Sequence, residues 1–260
     1  MKPLPFALDR ELEIRAPRDA VFQFLTRSES FAGWLGAGSS IEARAGGKLA
    51  IVYPGGVAVE GEVLELIQGA RLKFSYGYAS GQPIGPGASF VAFTLADSRS
   101  GTSLALRHTF SDPEVRDQHR AGWRYQLAVL ANQVCARSHS ELAAQADRFF
   151  GAWSETDPGR RNASLQTTVS DEFEFRDAHG CVRGRDELDA HIAAVQVHMP
   201  GQALARVGEP RQCQGFALID WIARGPGGVQ LASGTNAAEL APDGRLTRVT
   251  GFWGAPPNAG

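Results

Sequence analysis

A catalytic reading of this chain turns on Asp177. It stands in "EFEFRDAHGCVRGRDELDAHI", Glu172 to Ile192, just past an alternating polar–apolar strand and ahead of a glycine-punctuated turn and a helix. A carboxylate at the end of a strand serves as a general base if it faces a pocket and reaches the proton it removes. Aspartate also caps turns readily, so the spacing leaves both roles open. Asp220 is the second carboxylate to weigh. It shares a strand face with Phe216, Leu218 and Ile222, because side chains alternate with period two. If that face lines a cavity, desolvation raises the Asp220 pKa toward a useful range. If it faces outward, Asp220 is solvated and Trp221 points inward.

His191 and His198 lie seven residues apart on one predicted helix, with Val195 between them. A helical zinc pair prefers a spacing of four and needs a further ligand nearby, so no metal is expected. His198, close to the helix end before Met199-Pro200, is the histidine expected to line a pocket. Cys135, Cys181 and Cys213 are scattered without Cys-x-x-Cys spacing and read as reduced structural thiols. The double glycines sit in hairpins rather than in a phosphate loop, and no G-x-S-x-G elbow is present, so no cofactor is predicted.

The elements that must position these residues fall into two halves. A length of 260 residues exceeds the ~100–200 typical of one domain. With 43% hydrophobic and 21% charged residues, the chain has enough apolar material for two cores. Its 26 basic and 28 acidic residues leave a net charge of −2, without the basic stripe that nucleic-acid binding needs. No apolar leader opens the sequence, and no run approaches the ~20 apolar residues of a membrane span. The expectation is a cytoplasmic protein with neither nucleic-acid nor membrane partners.

In the first half, "LDRELEIRA" reads as a strand, and Pro17 opens the helix "PRDAVFQFLT". Short alternating runs broken by Gly46-Gly47, Pro54-Gly55-Gly56 and Gly69 then predict an antiparallel meander. A long helix begins near Ser111-Asp112-Pro113, with Trp123, Leu127, Leu130 and Val134 on one face. Laid across a curved sheet, that stripe leaves room for a cavity. Trp34, Tyr53, Phe74, Tyr76, Phe93, His108 and Trp123 are its candidate ligand-binding residues, since aromatic side chains combine apolar area with polar handles. Ser138 and Glu141 fit a capping box, which places the seam near residue 138. The second half reads as helices followed by long strands, an α+β cone with an interior cavity.

Both halves resemble known families. "ELEIRAPRDAVFQFLT", "FAGWLGA", "VEGEVLELIQGARLKFSYGY", "TSLALRHTF" and "AGWRYQLAVLA" resemble a START-type SRPBCC domain. Within that superfamily they are closest to homologues of the activator of the ninety-kilodalton heat-shock ATPase. "RFFGAWSETD", "FRDAHGCVRGRDELDAHI" and "GTNAAELAPDGRLTRVTGFW" resemble SnoaL-like proteins of the nuclear transport factor two-like superfamily. The resemblance implies a helix-grip antiparallel sheet domain over residues 1–137, followed by a cone-shaped α+β barrel domain over 138–260. It also implies pockets for small apolar molecules, and a second-half sheet of the kind that often forms homodimers.

In the isomerases of the second superfamily, an aspartate at the place of Asp177 removes a proton next to a carbonyl. The enolate oxygen is held there by a tyrosine and a protonated acid. Those positions fall on Phe149, which has no donor, and on Asn236, whose amide still donates. Losing one oxyanion donor costs ~2.7–4 kcal/mol in the transition state, which excludes an efficient steroid-type isomerase. Phe149, Trp153, His198 and Asn236 are therefore candidate ligand-binding residues, and Asp177 and Asp220 candidate bases. The leading expectation is binding of small hydrophobic ligands in both halves. A metal-independent cyclase, isomerase or dehydratase is the alternative, and a chaperone-associated interaction module the third.

Overall fold

The structure, a computed structural model, describes residues 3–254. The chain divides into two compact units, Met1–Cys135 and Ala136–Gly260. The first opens with β1 (Phe6–Ile14), α1 (Arg18–Thr26), α2 (Ser28–Leu35) and the two-residue β2 (Ser40–Ile41). It continues through β3 (Lys48–Val52), β4 (Ala58–Ile67), β5 (Arg71–Tyr78), β6 (Ser89–Ser98) and β7 (Gly101–Phe110) to α3 (Pro113–Ser138). The sheet order is β1-β7-β6-β5-β4-β3-β2, antiparallel throughout, which is the helix-grip arrangement. Asp112 caps α3, its Oδ1 accepting from Glu114 N at 2.7 Å, with Pro113 in the first turn. Val115, His119, Trp123, Leu127, Leu130 and Val134 form the buried face of α3.

That face meets the sheet through rings that pack on each other. Trp123 lies 5.9 Å from Phe93 at 78°, and Phe93 lies 6.2 Å from Trp34 at 82°. Trp34, Phe74, Tyr76, Phe93, His108 and Trp123 are all buried, and Tyr53 is half-buried with its phenol 3.4 Å from that of Tyr76. The residues expected to surround a cavity in this unit thus fill it with their own side chains. Aromatic edges and faces satisfy one another here, so the area expected for a guest is spent on the core.

The polar groups inside are also paired. Trp123 Nε1 donates to His108 Nδ1 at 2.9 Å. His108 Nε2 therefore carries the ring proton and donates to Ser89 Oγ at 2.9 Å, and Ser89 Oγ donates to the Tyr76 carbonyl. His119 Nδ1 faces the Val115 carbonyl at 2.7 Å and must donate, leaving Nε2 to accept from Tyr78 Oη. Both imidazoles are held neutral. Burial, and secondarily His119, push the His108 pKa well below its ordinary value, and burial lowers that of His119. Below an unfolded value near ~6.5 the unfolded chain takes up protons that the folded unit refuses. This contribution to stability is complete above that pH and is lost as pH falls toward the depressed folded values. The urea midpoint of the first unit is expected to be lower at pH 5 than at pH 7.5. His108→Gln, which can still accept from Trp123 and donate to Ser89, is expected to flatten that slope.

The second unit contains α4 (Leu142–Ala152), α5 (Pro158–Thr168), β8 (Val169–Arg176), β9 (Cys181–Arg183) and α6 (Gly184–His198). After these come β10 (Ala203–Arg206), β11 (Arg211–Cys213), β12 (Phe216–Arg224), β13 (Gln230–Leu240) and β14 (Leu246–Trp253). The sheet runs β10-β12-β13-β14-β8-β9, with β11 also paired to β12. Only the β14–β8 pairing is parallel among the described residues. The expected capping box at the seam is absent. Ser138 ends α3, and Glu141 precedes α4 without a side-chain cap, because the helical pattern continues through "CARS" and breaks only at His139-Ser140.

Behind α6, Arg161 of α5 is 3% exposed and pairs with Asp189 at 2.6 Å. Its Nη1 donates to the Glu155 carbonyl and, at 3.4 Å, to Gln196 Oε1. Gln196 Nε2 in turn donates to the carbonyls of Trp153 and Glu155, each at 3.0 Å. One buried ion pair thereby fastens the end of α4 to α5 and α6.

Candidate functional site

The inner face of the second sheet follows from register. Ile219 of β12 stands opposite Asn236 of β13, and Asn236 opposite Gly251 of β14. Period-two alternation then puts Trp221 and Trp253 on the same face as Asn236. α4 contributes Phe149 and Phe150, Trp153 stands just past its end, and α6 contributes His191, Val195 and Gln196. These side chains surround a cleft with about 700 Å³ of empty space, open solvent at its mouth included. Its walls are predominantly apolar, as in pockets for small molecules.

Asp177, the residue after β8, has two roles at once. Its Oδ1 accepts from His179 N at 2.8 Å and Gly180 N at 2.9 Å, which caps the turn. Its Oδ2 accepts from Trp253 Nε1 at 3.3 Å on the cleft wall. The turn cap fixes the carboxylate in place, and the free side of Oδ2 remains for a ligand.

Asn236 is buried and lines the cleft. Gly251 brings the two together. A Cβ at that position would stand 3.2 Å from both Asn236 Oδ1 and Asp177 Cβ. The His191 ring packs edge-on to Trp153 at 5.8 Å, close to Gly180, where a Cβ would lie 2.9 Å from His191 Cε1. Trp153 Nε1, Trp221 Nε1 and Gln202 Oε1 belong to lining residues and are buried without a partner. A buried donor or acceptor left unpaired costs roughly 1–3 kcal/mol.

Of the other expected site residues, Phe149 and Trp153 lie in the cleft. Asp220 does not. Its carboxylate is 46% exposed, accepts from Thr235 Oγ1 at 2.5 Å and pairs with Arg211 at 3.2 Å. It faces out with Phe216 and Leu218 because Trp221, its neighbour, takes the inner face. His198 is also misplaced. It occupies the last turn of α6 and is exposed, whereas His191, one helical period from Leu188 and Val195, lines the cleft. Trp34, Tyr53, Phe74, Tyr76, Phe93, His108 and Trp123 line no part of it, being in the first unit. Among the described residues no group of three His, Cys, Asp or Glu side chains is placed to hold a metal ion. Among the described residues no helix is long and apolar enough to cross a membrane.

Residues 15–134 match the family described as Activator of Hsp90 ATPase homolog 1-like protein. Among solved structures, a SnoaL-like family protein from Agrobacterium tumefaciens is 25% identical. It covers 46% of this chain and 99% of its own, at a TM-score of 0.42. A Mesorhizobium loti protein is 22% identical over 51% of this chain and 98% of its own, at a TM-score of 0.46. The Aha1 dimer from Colwellia psychrerythraea is 16% identical over 48% of this chain and 93% of its own, at 0.42. No curated protein matches the sequence. The match to the Activator of Hsp90 ATPase homolog 1-like family lies wholly within the first unit, and the second unit is a separate α+β fold outside the matched residues.

Proposed function

We propose that this protein binds a small, largely apolar molecule in the cleft of its second unit. The observation that carries this reading is the aromatic cleft lined by Trp153, Trp221 and Trp253, with the polar side chains of Asp177 and Asn236 among them. N-phenyl-1-naphthylamine, a neutral flat probe, is expected to bind saturably with enhanced emission. Gly251→Val, whose branched side chain would crowd Asp177 and Asn236, is expected to weaken that binding about tenfold or more. Linear, unsaturable uptake, or affinity unchanged in Gly251→Val, would contradict the reading.

Proton transfer is the second reading, favoured by Asp177, His191 and Asn236 lining one cleft. Asp177 would remove a proton next to a ligand carbonyl, and the Asn236 amide would donate to the developing oxyanion. Deuterium uptake at such a carbon in an enone or β-keto probe, abolished in Asp177→Asn, is the expected result; equal uptake in the variant would exclude Asp177 as base.

The outer face of the same sheet supports self-association. Phe216 and Phe252 are 48% and 59% exposed there. They are flanked by the Arg211–Asp220 and Arg248–Glu239 pairs, so the patch carries both signs of charge and suits a second copy of itself. Sedimentation is expected to show a dimer that dissociates in Phe216→Glu/Phe252→Glu.

A further inference from the structure

The cleft has an uneven electrostatic composition that its apolar character hides. Among the described residues its lining holds one carboxylate, Asp177, and neither lysine nor arginine. The buried guanidinium of Arg161 touches the lining through Gln196 Oε1 but is neutralised by Asp189 at 2.6 Å. Asp177 keeps its Oδ1 on two backbone N–H groups and receives on Oδ2 only the 3.3 Å contact from Trp253. Its negative charge is therefore unopposed by any lysine or arginine in the walls, whose other titratable side chains are His179 and His191.

Around that carboxylate the rings stand as perpendicular walls. Trp221 and Trp253 meet at 84° with centroids 5.1 Å apart, and Trp153 and His191 at 87°. Phe175 lies 5.3 Å from Trp153. Ring faces are electron-rich, and a cation over an indole gains most when water is excluded. An anionic ligand would meet the opposite: a like charge on Asp177 and no guanidinium or ammonium to receive it.

From this juxtaposition of three indoles and one carboxylate, with no lysine or arginine in the walls, we infer that the ligand of the cleft is an organic cation, a protonated or quaternary amine on an apolar body. The inference rests on the binding reading above and narrows it from any small apolar molecule to a positively charged one.

The test compares three molecules of similar size on the full chain, followed by tryptophan fluorescence: benzyltrimethylammonium, its neutral isostere neopentylbenzene, and the anion phenylacetate. The cation is expected to bind about tenfold or more tighter than the isostere, and phenylacetate weakest. In Asp177→Asn, whose amide oxygen can still cap the turn, the cation's advantage is expected to shrink by most of that factor. Equal or tighter binding of neopentylbenzene would overturn the inference while leaving the binding reading standing. A preference for the cation that persists unchanged in Asp177→Asn would also overturn it, since the carboxylate would then have no part. Failure of all three to bind would overturn both.

Discussion

Trp123→Ala is expected to bring the first unit close to global unfolding. The side chain is buried between α3 and the sheet, against Phe93, Tyr76 and His108. Emptying that volume costs about 3–5 kcal/mol, because neighbouring rings collapse only partly into the space. Removing the indole also strips His108 Nδ1 of its donor, which adds roughly 1–3 kcal/mol. Domains of this size are stable by only about 5–15 kcal/mol, so the sum consumes much of the total. Trp123→Phe separates the two contributions: it keeps most of the volume and loses the donor, with an expected cost of about 1–3 kcal/mol. Urea unfolding at pH 7.5, followed by circular dichroism, gives both values. A Trp123→Ala chain that unfolds at the wild-type midpoint would mean that the interior of this unit is not the packed core described above.

The second large effect concerns the ion pair behind the cleft. Asp189→Ala leaves the Arg161 guanidinium, whose side chain is 4% exposed, without its counter-charge. Breaking one side of a buried pair costs about 3–5 kcal/mol, mostly for the charge left behind. Replacing both partners together, as Arg161→Met with Asp189→Leu, is expected to recover most of that loss, because neither charge then has to be desolvated. A double variant as unstable as Asp189→Ala alone would show that geometry, rather than the stranded charge, sets the cost. The pair also holds Gln196 on the Trp153 carbonyl, so Asp189→Ala is expected to weaken ligand binding as well as stability.

Much of the architecture was legible because turns and alternation are local properties. The glycine and proline punctuation of the first half predicts its meander, and the Trp123-Leu127-Leu130-Val134 spacing predicts the buried face of α3. The resemblance of "FRDAHGCVRGRDELDAHI" pointed to Asp177, and Asn236 followed from the same alignment.

What stayed hidden depends on contacts across the chain. Alternation alone could not say which face of β12 is inner, so Asp220 and Trp221 were equally eligible until pairing with β13 and β14 decided between them. His191 and His198 both sit on an amphipathic helix. Only the end of α6 at His198 separates a lining residue from an exposed one. In the first unit the aromatic types suggested a cavity, but whether rings line a void or fill it depends on their mutual distances. Those distances bring Tyr76 and His108 to 4.8 Å. The capping box failed for a related reason: S-x-x-E matched as a pattern, while helical residues on its N-terminal side carried α3 through Ser138.

The central claim is that the second unit's cleft, and not the interior of the first unit, is the binding site. The five tryptophans divide between these places, Trp34 and Trp123 in the first unit and Trp153, Trp221 and Trp253 in the cleft. Indole N–H resonances of ¹⁵N-labelled protein, titrated with N-phenyl-1-naphthylamine, read each of them separately. The account predicts that the signals of Trp153, Trp221 and Trp253 shift together to saturation while Trp34 and Trp123 stay fixed. Movement of Trp34 and Trp123 with the cleft signals unmoved would contradict it.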